Sequence, residues 1–134
     1  MKLEYLHDLT EGGKYPFADP VHLIRLFSFD KNEAEKLMSI IESCMVINRE
    51  SLDVSDLAFV EPVNCSLLFE ISPADLGIAF SSENNFICRL SIKSYRKMIG
   101  YIKFFAVDDR NGYNWLYESE EGNIDLLFSP GGTW

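Results

Sequence analysis

The sequence offers no cysteines spaced to act together. Cys44, Cys65 and Cys88 are odd in number, far apart and set in apolar runs, with no C-x-x-C among them. That excludes the usual zinc and dithiol motifs and leaves buried free thiols in a reducing compartment. Asn64-Cys65-Ser66 fits a glycosylation sequon, but it opens a strand-like run and would count only in a secreted chain. Histidine is scarcer still, with His7 and His22 alone. Nucleophilic catalysis needs a base within hydrogen-bond reach of a Ser, Cys or Thr, and neither histidine stands near a nucleophile-elbow sequence. If the strands that carry them pair, the two histidines approach one another. No catalytic residue, metal-ligand set or cofactor is expected.

Other absences narrow the field further. Gly12-Gly13-Lys14 runs into Tyr15-Pro16-Phe17 instead of opening a helix, so it builds no phosphate cradle. Asp108 to Gly112 looks superficially like a calcium loop, but its third and fifth places hold Arg110 and Gly112, where oxygen donors are required. No stretch approaches the roughly 18 apolar residues of a membrane span. The opening residues, with Glu4 and Asp8, do not read as a signal peptide. Cations are few, 12 against 21 acids, for a net charge of -9. Such a surface repels duplex nucleic acid and attracts basic partners. A cytoplasmic protein contacting neither nucleic acid nor membrane is expected.

What is present suits a globular chain. Its 134 residues, 47% apolar with ten Phe and six Tyr, are enough for one domain, 1–134, with a core that needs no staples. Leu3 and Tyr5 alternate with polar neighbours as a strand, with Leu9 as its outer limit. The Gly- and Pro-rich stretch 10–20 is a loop. Residues 21–29 are apolar on both faces, as in an interior strand. Asp30 with Glu33 resembles a capping box, and Ala34, Leu37, Met38, Ile41, Cys44 and Met45 then mark a helix over 31–46. Residues 48–63 read as a long connection with one short extended piece. Strands follow at 64–72, 78–80 and 86–92, and a second helix at 94–107 with the stripe Tyr95, Met98, Ile99, Ile102, Phe105 and Ala106. A last hairpin joins 114–118 to 124–128.

The expected order is ββα-βββα-ββ. It describes an α+β domain with a mainly antiparallel sheet of about six or seven strands and two helices packed on one face. Residues 23–29 and 86–92, each leading into a helix, echo one another as a degenerate duplication would.

Two features stand out as candidate binding residues. Between Arg89 and Lys103 there are five cations and no acid, so the rest of a chain at -9 carries -14. Lys93, Arg96 and Lys97 fall at the start of the second helix, where the helix dipole disfavours cations. Places that break a local rule are enriched in function, and this one suits an acidic or phosphate-bearing group. The alternative is neutralisation by the chain's own acids. Second, strand alternation puts Tyr113, Trp115 and Tyr117 on one face, rimmed by Glu118, Glu120 and Glu121. Left open, that face is a docking patch; covered, it is core. Trp134 is either an anchor on the fold or part of a loose tail.

These features favour a non-enzymatic module that binds another protein. Its sharper form is an antidote or immunity-type protein that covers a toxin's basic active site, gaining association rate from charge complementarity. The alternative is a small-ligand-binding protein or minor enzyme with a pocket between sheet and helices, using His7, His22 and Tyr15. A homodimer through edge-strand pairing is compatible with both.

Overall fold

A computed structural model of the chain describes residues 1–7, 22–120 and 123–134. Leu9, the loop at 10–20 with Tyr15, Val21 and Glu121 lie outside them. The alternating segments become β1 (Lys2–His7), β2 (His22–Phe27), β5 (Ser66–Ile71), β6 (Gly77–Ser82), β7 (Asn85–Leu90), β8 (Asn114–Tyr117) and β9 (Asp125–Ser129). Two-residue strands, β3 (Leu52–Asp53) and β4 (Glu61–Pro62), interrupt the connection at 48–63. The helices are α1 (Lys31–Ile40) and α2 (Ile92–Ala106).

Local chemistry accounts for the helix starts. Asp30 is extended and its carboxylate accepts from the Glu33 N–H at 2.9 Å. Glu33 does not complete the box, since its own carboxylate turns to the Met1 nitrogen at 2.6 Å. Past Ile40 the helix widens into a π-helical turn, Ile41–Ile47, and the Asn48 N–H reaches the Ser43 carbonyl five residues back. Ile41 and Met45 stay buried through it, so the apolar stripe of α1 is extended. Arg49, at a φ of 58°, then turns the chain away.

The strands form two mixed sheets instead of one mainly antiparallel sheet. The first has the order β4-β1-β2-β9-β8 and the second β3-β5-β7-β6. Neighbours along the chain pair antiparallel as short links require: β1 with β2, β6 with β7, β8 with β9. The parallel contacts, β2 with β9, β5 with β7 and β1 with β4, join strands that are distant in sequence or separated by another strand. Nothing local encodes them.

The arrangement repeats one plan twice. The hairpin β1–β2 leads to α1 and then to the antiparallel pair β3–β5; the hairpin β6–β7 leads to α2 and then to β8–β9. Each half places its first pair in one sheet and its second pair in the other. Helix α1 packs on α2. One buried cluster includes Ile24, Leu26 and Phe128 of the first sheet, Leu67, Phe69 and Phe86 of the second, and Leu37, Tyr95 and Phe105 of the helices. Strand β6 crosses one end of the first sheet: Gly77 lies against Tyr117 near the end of β8, and the Phe80 ring meets Tyr5 of β1 edge-on.

The outer face of the first sheet is also apolar. Leu23 and Leu127 are fully buried there beside Leu6, Trp115 and Trp134. The closing residues fold back over this face. The Ser28 N–H donates to the Pro130 carbonyl at 2.9 Å and Arg25 Nη1 to the Gly132 carbonyl at 2.8 Å. Trp134 is therefore an anchor, its ring 6.2 Å from Trp115. Among the described residues, no helix is long and apolar enough to cross a membrane.

Candidate protein-docking face

Helix α2 begins without an acid of its own, and a distant residue supplies one. Ser91 is the N-cap, its Oγ accepting from the Ser94 N–H. Asp75, from the turn between β5 and β6, accepts from the Ser91 N–H at 2.8 Å and from the Ser94 hydroxyl at 2.6 Å. The Ser91 N–H above all, then the Ser94 hydroxyl, hold the Asp75 carboxyl below the usual carboxylate range; Lys97 adds to this. The dipole conflict read from Lys93, Arg96 and Lys97 is thus offset through tertiary structure.

With Tyr95, Met98, Ile102 and Phe105 turned inward, the opposite side of α2 faces solvent. It carries Lys93, Arg96, Lys97 and Lys103, all exposed. Among the described residues, none of the four lies in an ion pair with a carboxylate. Interleaved with them are Tyr101 and Phe104, 44% and 46% exposed. The Arg110 guanidinium sits over the Phe104 ring, 4.4 Å from its centroid.

Strand β8 borders this face. The Asn114 side chain donates to the Tyr101 carbonyl at 2.9 Å and ties the strand to the helix. The expected sharing of one face by Tyr113, Trp115 and Tyr117 does not hold. Trp115 pairs with Leu127 but Tyr117 pairs with Leu126, so a bulge between them breaks the alternation. Trp115 packs on the outer cluster with Trp134, and Tyr117 packs against the main core beneath Gly77. Burial raises the Tyr117 phenol. Tyr113 stays 45% exposed, its ring edge-on to Trp115 at 6.1 Å.

A groove of about 190 Å³ brings the two sets of candidate residues together, between Ser94, Lys97 and Tyr101 on α2 and Trp115, Tyr117 and Glu118 on β8. Lys93 and Arg96 extend the face along the helix without lining the groove. Tyr101 and Phe104 escaped the sequence reading. The usable signal was their position off the apolar stripe, which leaves two large aromatics with no inward place. The chain matches no family model, and neither a curated protein nor a solved structure is significantly similar to it.

Proposed function

We propose that this protein acts by binding another protein through the α2–β8 face, and that the docked segment is acidic and carries an apolar side chain. One observation carries the reading: exposed cations that form no ion pair among the described residues lie beside exposed aromatics on a single helix face. An apolar centre with a charged rim is how protein interfaces are composed, and aromatic anchors supply most of their energy. The sheet–helix interior supports the same choice. It is filled by Phe69, Tyr95, Phe105 and Phe128, all essentially inaccessible, which favours a surface contact over a ligand pocket within.

The test compares proteins captured by the wild-type chain, by Lys97→Glu and by a control, Lys36→Glu on the far helix. A stoichiometric acidic partner that is lost at high salt, lost with Lys97→Glu and kept with Lys36→Glu is the expected result. A basic partner indifferent to Lys97→Glu would replace this reading with the antidote-type one, in which the acidic remainder of the surface does the binding.

Self-pairing is a second reading, favoured by β6. It is an edge strand without a single charge, and Phe80 on it is 58% exposed. Such edges invite strand addition. Light scattering would then give a dimer mass at high concentration that Ala79→Lys abolishes; a monomer at every concentration would rule it out.

A further inference from the structure

We propose that His7 and His22 together hold one divalent transition-metal ion, of the kind that favours imidazole, where the first sheet opens beside β6. The chain's only two histidines are cross-strand partners at the end of the β1–β2 hairpin. Directly opposed residues of an antiparallel pair project from the same face, with Cβ atoms about 4.5–5.5 Å apart. Two imidazoles so placed can reach one ion at about 2.0–2.1 Å each.

The surroundings favour ligation over packing as the reason for the pair. Tyr5 precedes His7 by two residues and shares its face. Its hydroxyl lies 3.1 Å from His22 Nδ1. That contact occupies Nδ1; an ion taken by Nε2 would put the ring proton on Nδ1, which would then donate to the Tyr5 oxygen. A metal-bound histidine commonly has this arrangement, its second nitrogen fixed by a polar neighbour. His7 is exposed, and no hydrogen bond to its ring joins it to another described residue. Its ring lies 5.7 Å from that of Tyr5. Phe80 and Phe86 form the apolar wall behind, their rings 5.9 and 4.6 Å from Tyr5.

No third His, Cys, Asp or Glu joins the pair among the described residues. Zinc(II) and copper(II) suit imidazole donors and serve as probes.

The experiment titrates chelator-stripped full-length protein with zinc chloride by calorimetry and reads copper(II) binding by electron paramagnetic resonance. One site per chain is expected, with coupling to two nitrogen nuclei. His7→Ala and His22→Ala should each abolish the site. Tyr5→Phe should loosen it about 10–100-fold, as loss of an outer partner does. Far-UV circular dichroism verifies that the variants are folded, and exposed His7 is the safer of the two to replace. The proposal fails if no ion binds or if binding survives both histidine variants. It fails equally if the nitrogen coupling is absent, or if one ion bridges two chains.

Discussion

Replacing Tyr95 by Phe is the sharpest test of how α2 is held to the second sheet. Tyr95 is fully buried, and its hydroxyl shares one proton between the carbonyls of Glu70, at 2.7 Å, and Cys88, at 2.9 Å. Those carbonyls belong to β5 and β7, so one side chain bridges a helix and a parallel strand pair. The same burial pushes the phenol far up its scale, and it stays a neutral donor at any ordinary pH. Phe keeps the ring and its contact with Phe69, at 5.5 Å between centroids, and removes only the donor. A lost buried hydrogen bond costs about 1–3 kcal/mol. Carbonyls have a second lone pair, so the lower half, about 1–2 kcal/mol, applies here. For a chain of this size that is about 3–10 °C in melting temperature, or about 0.5–1 M in urea midpoint. Chemical and thermal denaturation should agree. A Phe variant as stable as wild type would show that the hydroxyl does not contribute, and that ring packing alone positions α2.

Three further outcomes are expected. Gly77→Ala should destabilise by at least about 1 kcal/mol, since its φ of +85° disfavours a side chain and a Cβ would stand 2.6 Å from Tyr117 Oη. Tyr117→Phe in that background should recover part of the loss, read from urea midpoints. The Asp75 carboxyl is depressed in the folded chain, so its contribution is complete above the ordinary Asp range and disappears as pH falls through its lowered value. The melting-temperature gap between wild type and Asp75→Asn should be full at about pH 7 and should close below about pH 4, and a gap independent of pH would refute the assignment. Burial pushes the Cys65 and Cys88 thiols up to about 12. Alkylation at about pH 8 should be slow in the folded protein and fast in urea, followed by mass spectrometry.

Both helices and strands such as β1 and β7 are legible as periodicity, because each has one buried face to declare, whereas β2 and β9 read as apolar runs buried on both faces. Leu37, Ile41 and Met45 announce α1 and its π-helical extension, although the widened turn itself leaves no mark in the pattern. The His7–His22 approach follows once β1 and β2 pair. Three features are not local and could not be read. The division into two sheets depends on which strands from opposite halves meet, as β2 meets β9. The bulge that separates Trp115 from Tyr117 shows only in the pairing with β9, and Tyr117 then lies against Gly77, a contact between distant segments. The neutralisation of the α2 start comes from Asp75, sixteen residues before Ser91.

The exchange of strand pairs between halves also orders events during synthesis. The second sheet draws only on residues up to Leu90 and can close early. The first cannot: β9 lies inside it between β2 and β8, paired with a β2 made about a hundred residues before. Until β9 emerges from the ribosome, β2 keeps an open edge lined by Leu23, Ile24 and Leu26, a template for pairing with the wrong chain. A chain stopped at residue 111 should accordingly aggregate alone and stay in solution when a peptide of residues 112–134 is supplied. Equal solubility with and without the peptide would mean that the waiting edge is protected by some other element. In the first sheet, the fold leaves its most aggregation-prone edge uncovered longest.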